Sequence, residues 1–340
     1  MSHTTYAVDI AKRIFQVHWV DAETGEMHSR PLRRGQVTGF FANRPASTIA
    51  LEACGSGHYW ARTLGALGHE VRLLHPKYIR PFVRTNKTDA ADAEAIWTAA
   101  HQPGIRPVAV KSEEQQAMLG LHRMREQLVK FRTMQVNQVR GLLNEFGFVF
   151  RNGRRAGLAE IRAALAELED RVPGVLMTSV HAQLARLEII DRDVAAIERQ
   201  MQSWQRRESD CQRLAAIPGI GPITATALVA SIGNARAFRS GREFASFLGL
   251  VPRQSGTGGR VKLLGISKRG DGYLRKLLVH GARTVLFRSK TVSPWMSGLL
   301  KRRHRNVATV ALANKMARIA WALMAHARSY RADWQLASAA

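Results

Sequence analysis

The chain has 340 residues, which is long enough for two or three domains that each bury a hydrophobic core. Its 51 lysine and arginine residues outnumber 26 aspartate and glutamate residues and give a net charge of +25, so a polyanionic partner such as DNA or RNA is expected. Two cysteines far apart in the sequence, Cys54 and Cys211, exclude a disulfide framework and a cysteine-based zinc site.

The first hundred residues alternate short strands with helices. Strands are predicted near residues 6–10, 14–20, 27–31, 47–52 and 70–74, and helices near 36–42, 59–67 and 89–100. Three meandering strands followed by alternating helices and strands form a mixed sheet with helices on both faces. This order is that of a ribonuclease-H-like fold.

Four carboxylates hold distinctive positions in this domain. Asp9 and Glu52 each end a predicted central strand, where open α/β sheets place their sites, and Asp89 and Asp92 lie one helical turn apart. Converging carboxylates repel one another unless a cation neutralises them, and an all-oxygen ligand set suits Mg²⁺ or Mn²⁺. Two such ions can clamp the attacking and leaving oxygens of a phosphodiester. Taken singly, Asp89 could instead cap its helix, and Asp9 could be a turn residue.

The middle of the chain is predicted to be helical. A Pro- and Gly-bearing break at 102–107 ends the first domain, and helix then runs from Glu113 to about Glu145. This helix carries Leu121, Met124, Leu128 and Phe131 at a/d spacing, followed by Val136, Val139, Leu143 and Phe146. After a break at 147–157, a second helix carries Val180, Leu187, Val194 and Met201 seven residues apart, with Ile190, Ile197 and Trp204 between them. The pattern predicts an antiparallel hairpin or a dimerising coiled coil, with packing on the chain's own domains as the alternative.

The C-terminal third opens with a helix-hairpin-helix pattern at residues 214–225. The amides of such a turn, here at Gly219 and Gly221, and the start of the following helix take a phosphate without reading sequence. A tight turn used only for packing is the alternative. Further on, apolar-faced helices are predicted at 273–287 and 307–326.

Between these elements lies the segment 249–271, which we expect to be an irregular basic loop. Its glycines let the backbone approach a phosphate, and Ser255 is a potential nucleophile. Read by itself, the loop favours a passive segment that only touches nucleic-acid backbone over a catalytic one, so the rest of the chain must decide. From Val251 to Asn306, fourteen lysine and arginine residues face one acid, Asp271, as expected of a nucleic-acid surface, although the run 301–305 could simply be solvated. The residues expected to contact nucleic acid are Lys12, Lys87, Gly219, Gly221, Arg253, Gln254, Gly258, Gly259, Arg260, Lys262, Lys268, Arg269, Arg275, Arg302 and Arg303.

Seven short motifs stand in order along nearly the whole chain. They are Val8-Asp9, Leu51-Glu52-Ala53-Cys54-Gly55, Lys87-Thr88-Asp89-Ala90-Ala91-Asp92-Ala93, Ile217-Pro218-Gly219-Ile220-Gly221, Gly249-Leu250-Val251-Pro252-Arg253-Gln254-Ser255-Gly256, Leu264-Gly265-Ile266-Ser267-Lys268-Arg269-Gly270-Asp271 and His280-Gly281-Ala282-Arg283. As a set they resemble the DEDD transposases of bacterial insertion sequences in the IS one-ten family, specifically its IS eleven-eleven branch.

The resemblance implies a RuvC-like N-terminal domain whose acids Asp9, Glu52, Asp89 and Asp92 bind Mg²⁺, with Mn²⁺ as a possible substitute. It also implies a C-terminal domain whose serine attacks the scissile phosphate and forms a covalent phosphoserine link to DNA. By the Arg-Gln-Ser-Gly match, which belongs to the other branch of the family, that serine is Ser255.

Many relatives in the IS eleven-eleven branch place a serine one or two positions later, where this chain has Gly256 and Thr257. Thr257 is therefore the alternative nucleophile, and Ser267 is a weaker one. Further partners implied by the resemblance are double-stranded DNA at the element ends and target site, a noncoding guide RNA (bridge RNA, or seekRNA), and dimers that assemble into a tetramer.

We therefore expect an α/β plus all-α protein of four regions. These are a RuvC-like metal-binding domain (1–108), a helical or coiled-coil spacer used in oligomerisation (109–208), a transposase domain with the helix-hairpin-helix and the catalytic serine (209–330), and a tail (331–340). Two other functions stay open: a metal-dependent nuclease of the Holliday-junction-resolving type without a seryl intermediate, and a non-catalytic nucleic-acid-binding protein.

The expected location is the cytoplasm, in association with the nucleoid. The N-terminus does not resemble a signal peptide, and no apolar run approaches the roughly 20 residues of a membrane span. A ribosomal or membrane-surface protein is the alternative suggested by charge. Ribosomal proteins are usually shorter, and a basic amphipathic helix with a wide apolar face is missing from the sequence.

Overall fold

The computed structural model describes residues 4–83, 88–288 and 293–331. The chain divides into two compact units, Met1–Glu113 and Glu114–Ala340. Lys87, one of the predicted phosphate contacts, and nearly all of the predicted tail at 331–340 lie outside the described residues.

The first unit is built on a five-stranded mixed sheet in the order β3-β2-β1-β4-β5. Its strands are β1 (Thr5–Asp9), β2 (Ile14–Val20), β3 (Met27–Arg33), β4 (Thr48–Glu52) and β5 (Glu70–Leu74). β1, β2 and β3 are antiparallel neighbours, whereas β1, β4 and β5 run parallel. The helices are α1 (Val37–Ala42), α2 (Gly57–Ala66), α3 (Pro76–Ile79) and α4 (Asp89–Ala100). The predicted mixed sheet with interspersed helices is confirmed.

The central strands β1 and β4 are buried on both faces, whereas the edge strand β3 is largely exposed. Tyr6 and Val8 of β1 pack with Phe15 and Val17 and with residues of α1 and α2. Ala7 faces the opposite way and packs with Ala50 and with α4. Successive side chains of a strand point to opposite faces, so residues in phase with Ala7 lie on the α4 side.

The second unit begins with two long antiparallel helices, α5 (Glu113–Asn144, whose first residue ends the first unit) and α8 (Gly174–Arg207). Ion pairs at 2.7 Å join Arg125 to Glu198 and Arg132 to Asp191. The partner's residue number falls by seven on α8 as the residue number rises by seven on α5, so the two helices run antiparallel. Two shorter helices, α6 (Arg154–Ala163) and α7 (Leu165–Arg171), share a core with the far ends of α5 and α8.

The apolar stripe predicted for the start of α5 is correct only in part, since Leu121 and Leu128 are half-buried and Leu121 packs against the helical core. Met124 and Phe131 are 50% and 44% exposed, whereas His122 is buried and Arg125 and Arg132 pair with α8. Charged residues therefore occupy positions at which α5 contacts α8. A search for regularly spaced apolar residues does not find such positions. Farther along, the predicted residues Val136, Val139 and Leu143 are buried, as are Val180, Leu187, Val194 and Met201 of α8.

The rest of the second unit is a helical assembly with one small sheet. Its elements are α9 (Ser209–Ala215), α10 (Pro222–Ile232), α11 (Gly241–Phe247), β6 (Pro252–Thr257), β7 (Arg260–Ile266), α12 (Gly272–Arg288), α13 (Pro294–Arg302) and α14 (Arg305–His326). One core joins α9–α12 and α14 to the adjacent ends of α5 and α8.

α14 corrects the expectation about apolar segments. By length and composition alone it is apolar enough to cross a membrane. Three cations, Arg305, Lys315 and Arg318, interrupt the apolar run in the sequence. Its residues Ala313 and Ala317 are fully buried in the helical core, so one face of this helix packs within the unit.

The segment 249–271 is not an irregular loop, contrary to expectation. β6 and β7 form an antiparallel hairpin, and Gly258 and Gly259 turn the chain with φ values of 56° and 79°. Two successive positive φ values fit the type I′ turn, whose twist matches that of the flanking strands. Every residue of β6 is exposed, so the ribbon has no buried face and lacks the apolar alternation by which strands are recognised.

Candidate functional site

Two of the four predicted acids are neighbours at one edge of the sheet. The parallel register pairs Val8 of β1 with Leu51 of β4, so the next residues, Asp9 and Glu52, end adjacent strands side by side. Neighbouring strands lie about 4.8 Å apart. Both acids are in phase with Ala7 and Ala50, so both lie on the face of the sheet that α4 covers.

The other two acids stand in the first turn of α4. The helix is capped by Thr88, whose hydroxyl accepts a hydrogen bond from the Ala91 amide at 3.2 Å, so the capping alternative for Asp89 is wrong. Asp92 is half-buried and lies one turn before the buried Ile96, while Asp89 is exposed. In the part of the chain that the structure describes, no three acidic, His or Cys side chains form a group able to hold a metal ion. The structure therefore pairs Asp9 with Glu52 but does not gather all four acids.

The negative charge of Glu52 affects the pKa values of two side chains, Cys54 and His75. Burial raises the pKa of the Cys54 thiol, and the negative charges of Glu52 and Asp9 act in the same direction. Burial lowers the pKa of His75, and Lys77 adds to this, while Glu52 opposes it. Since a single thiol responds to both carboxylates, Asp9 and Glu52 share one electrostatic environment.

Cations stand at the same end of the sheet: Lys12, which was predicted, and Arg13, Arg33 and Arg34, which sequence reasoning missed. Lys12 is exposed in the turn after β1, and Arg33 pairs in register with Ile14 at the start of β2. The Arg34 amide donates to the Arg13 carbonyl at 2.8 Å, which places these two arginines together. The antiparallel arrangement puts the end of β1, the start of β2 and the end of β3 at one edge. The only signal in the sequence was a set of basic residues flanking a predicted strand.

The hairpin gathers hydroxyl groups and cations on one face. Cross-strand partners point the same way, and the register pairs Ser255 with Lys262 and Thr257 with Arg260. The opposite face carries Gln254, Gly256, Val261 and Leu263. Within the described ranges, the Ser255 hydroxyl has no hydrogen-bond partner, so a general base for it is not supplied by the hairpin.

The base of the hairpin is a tight backbone crossing. Gly270 has φ +80°, and a Cβ there would lie 1.8 Å from the Phe247 carbonyl oxygen. Gly249 has φ +69°, and its Cβ would lie 2.1 Å from the Arg269 carbonyl oxygen. The Ser267 amide donates to Val251 at 2.9 Å. Only glycine fits this crossing without displacement of the backbone.

Two charged residues near the crossing hold the structure together. The Arg275 guanidinium donates to the carbonyls of Leu248 at 3.0 Å and Arg269 at 3.1 Å, so this predicted nucleic-acid contact already has backbone partners. Asp271 accepts from the amides of Tyr273 and Leu274 at 2.8 and 3.0 Å and so caps α12. The lone acid of the basic segment is therefore explained by helix capping.

The turn between α9 and α10 combines packing with exposure. A Cβ on Gly219 would lie 2.8 Å from the Gly281 carbonyl oxygen of α12, so Gly219 is required for close packing. Gly221 is exposed and precedes Pro222, the first residue of α10. The predicted phosphate-binding role thus fits Gly221, whereas packing accounts for Gly219.

The remaining predicted contacts are exposed. They are Arg253, Gln254, Gly258, Gly259, Arg260 and Lys262 on the hairpin, Lys268 and Arg269 at its base, and Arg302 and Arg303 at the end of α13. Ser267, the weaker alternative nucleophile, is half-buried and lies directly after the end of β7.

Comparison with known proteins links these features to one activity. A family model described as the transposase IS116/IS110/IS902 family matches residues 211–301, which include the hairpin, and a model of DEDD transposases matches residues 6–148, which include the four acids. A probable family 20 transposase of Pseudomonas aeruginosa is 48% identical over 97% of this chain and 99% of its own length.

Two further relatives are named after mobile elements. The transposase for insertion sequence element IS1328 of Yersinia enterocolitica is 39% identical over 94% of this chain and 96% of its own. The transposase for insertion sequence element IS1111A of Coxiella burnetii is 38% identical over 95% of this chain and 90% of its own. The similarity therefore spans both units.

Proposed function

Since this chain belongs to the IS116/IS110/IS902 family of transposases and is an enzyme that acts on DNA, we propose that it cuts and rejoins DNA through a covalent phosphoserine intermediate. The observation that carries this proposal is the hairpin face on which Ser255 stands opposite Lys262 and two positions from Thr257. A hydroxyl beside cations on an exposed ribbon can meet a phosphodiester without rearrangement of a core.

The first step exchanges one phosphate ester for another. The Ser255 Oγ bonds to phosphorus and loses its proton to a base, while the bond from phosphorus to one deoxyribose oxygen breaks and that oxygen leaves as a hydroxyl. Lys262 and Arg260 stabilise the added negative charge on the phosphoryl oxygens. Attack by the hydroxyl of another strand end reverses the exchange and frees the serine. A serine hydroxyl is a weak nucleophile alone, so the base must come from outside the hairpin.

The acids of the first unit would hold a divalent metal by closing on it. Asp9 and Glu52 are adjacent at the sheet edge, and Asp89 and Asp92, in the first turn of the helix that covers their face, would have to approach them to complete an all-oxygen ligand set suited to Mg²⁺ or Mn²⁺. Such an ion would neutralise charge on the reacting phosphate. Lys12, Arg13, Arg33 and Arg34 would hold the DNA backbone beside the acids.

The proposal also assigns a role to each of three regions of the chain. The five-stranded sheet acts as a RuvC-like domain (1–108), the paired helices as a spacer (109–208), and the remainder as the transposase domain (209–330). Residues 209–232 act as a helix-hairpin-helix that binds DNA backbone through the exposed Gly221 and the start of α10.

The partners proposed are double-stranded DNA, a guide RNA and further copies of this chain in the bacterial cytoplasm. The net charge of +25 supports a large nucleic-acid surface. Guide pairing would carry the sequence information. Dimers and tetramers would use the exposed apolar stripe of α5, on which Met124, Phe131 and Met134 lie.

The test is strand cleavage and joining by the full-length protein with Mg²⁺. Ser255→Ala should abolish both cleavage and the covalent adduct, while Thr257→Ala should retain them. A Ser255→Ala protein that still cleaves would favour the second candidate, a metal-only nuclease, which the paired Asp9 and Glu52 support. Recombination retained after joint loss of Asp89 and Asp92 would instead favour a binding role for the first unit.

A further inference from the structure

A second surface of the second unit combines exposed rings with cations. Phe287, near the end of α12, and Trp295, in the first turn of α13, are 50% and 44% exposed. The small core beneath them consists of Leu286, Met296 and Ala308. Both rings therefore stand outside the core that fixes their helices.

Each ring has a cation of α14 over it. The Arg305 guanidinium carbon lies 5.4 Å from the centre of the Phe287 ring, and the Lys315 Nζ lies 4.6 Å from that of Trp295. Both distances are within the range of cation–π attraction. The cation holds the ring in place, and each aromatic residue remains about half exposed to solvent.

The charge around the rings is unbalanced. From Gly272 to Arg331 the sequence contains no aspartate or glutamate. Arg302 and Arg303 are exposed at the end of α13, and neither they nor Arg305 form an ion pair within the described part of the chain. Such a surface attracts a polyanion rather than an acidic side chain of its own unit.

The two ring–cation pairs are spaced for separate nucleotides. Arg305 and Lys315 are ten residues apart on one helix, which is about 15 Å along its axis. One base cannot span this distance, whereas a strand of several nucleotides can, with its phosphates toward Arg302 and Arg303.

We propose that Phe287 and Trp295 form a stacking platform for unpaired nucleotides. Aromatic rings stack on bases of any sequence, while neighbouring cations neutralise the backbone. Bases of an intact duplex are already stacked on one another and present no free face, so the platform selects single strands. The β6–β7 hairpin, by contrast, has cations but no aromatic residue between Pro252 and Ile266. The platform is thus a second nucleic-acid site, and it does not depend on the identity of the nucleophile.

The test compares single-stranded with duplex binding. Affinities of the full-length protein for labelled dT and rU oligonucleotides and for a duplex of equal length are measured at one salt concentration. Phe287→Ala and Trp295→Ala should each weaken single-strand binding about tenfold and leave duplex binding within twofold. Tyr59→Ala, which removes a ring of similar exposure (48%) on α2, is the matched control and should change neither.

Conservative variants separate stacking from folding. Trp295→Phe should retain most of the single-strand affinity, because a ring remains. A loss confined to rU or to dT would support the platform and identify the sugar of its natural ligand. Unchanged affinity for both single strands in both alanine variants, or an equal loss for single strands and duplex, would overturn the proposal. Since only binding is measured, these outcomes hold whether or not Ser255 proves to be the nucleophile.

Discussion

The acid-bearing sheet and the serine-bearing hairpin are built in opposite ways. Asp9 and Glu52 follow runs of buried residues on central strands, so packing on both faces of the sheet fixes their backbone. Ser255 stands on a strand in which every residue is exposed. The positions of Asp9 and Glu52 can be preorganised before DNA binds. Ser255, by contrast, is positioned only by the hydrogen bonds between β6 and β7 and by the glycine crossing where the hairpin joins the helices.

The orientation of the β6–β7 hairpin is set where its two ends cross at Gly249 and Gly270. Gly249 and Gly270 let two backbone segments come into contact. Arg275 donates a hydrogen bond to the backbone at this crossing, and Asp271 caps the first turn of α12. A ribbon with a fixed base and an exposed tip can present Ser255 to DNA and still move at the tip.

The largest expected effect comes from replacing one of the two paired acids at the edge of the five-stranded sheet. Asp9→Asn should slow Mg²⁺-dependent strand cleavage about a thousandfold, because metal stabilisation of charge contributes several kcal/mol to the transition state. The rate of cleavage under single-turnover conditions measures this. Glu23→Gln, which changes an exposed acid of the β2–β3 turn, is the control and should leave the rate unchanged. Equal rates for the two variants would mean that the sheet edge takes no part in the reaction.

The next effect concerns the base of the hairpin. Gly270→Ala should lower the free energy of unfolding by more than about 2 kcal/mol, because its Cβ would collide with the Phe247 carbonyl at an unfavourable φ. Denaturant titration measures the loss. Gly265→Ala, at an open position in β7, should stay within about 0.5 kcal/mol of the original protein. If both substitutions are tolerated alike, the crossing does not anchor the ribbon.

A pH-dependent effect is expected where α12 meets α5. His122 is buried with its Nδ1 2.9 Å from the Tyr273 hydroxyl and its Nε2 3.0 Å from Thr226 Oγ1. Thr226 donates to the Pro222 carbonyl at 2.8 Å, so it accepts from Nε2–H, and Nδ1 accepts from Tyr273. Burial, aided by the charge of Arg125, lowers the pKa of His122 to about 4.

Because the unfolded chain protonates this histidine near pH 6.5, the stability contribution is complete above that pH and is lost as the pH falls toward 4. The loss amounts to at most about 1.4 kcal/mol per pH unit. In His122→Gln the free energy of unfolding should be lower at pH 7, and the gap to the original protein should narrow at lower pH. His280→Gln, an exposed control, should follow the original protein. Parallel curves for His122→Gln and the original protein would contradict the neutral, buried state.

The smallest effect is expected from an exposed cation of the hairpin, compared with a cation that forms an ion pair. Lys262→Gln should weaken DNA binding slightly and reduce the slope of log affinity against log salt by about one, since one phosphate contact is lost. Lys276→Gln is the control, because Lys276 already pairs with Glu126, and its slope should not change. A slope unaltered by Lys262→Gln would remove this cation from the DNA surface.

The two regions also differ in how far the sequence predicts them. Strand bounds of the sheet follow from runs such as Thr48–Glu52, because burial on both faces demands continuous apolar residues. The strand-end positions of Asp9 and Glu52 follow with them. Their pairing in register could be expected from parallel neighbours, but whether Asp89 and Asp92 gather with them depends on tertiary detail.

The hairpin and the start of α5 could not be predicted in this way. Uncovered strands such as β6 have no apolar alternation, and only the Gly258-Gly259 pair indicates the turn. On α5, the charged Arg125 and Arg132 occupy the contact face through ion pairs, so two positions of the predicted apolar stripe, Met124 and Phe131, are exposed instead.

Direct identification of the attacking residue tests the account most sharply. The full-length protein is trapped on DNA that carries a nick at the cleavage site, digested, and the peptide bearing the nucleotide is mapped by mass spectrometry. The hydroxyl–cation face of the hairpin predicts a phosphodeoxyribose adduct on Ser255. An adduct on any residue outside 249–271 would contradict the assignment of strand attack to the exposed ribbon.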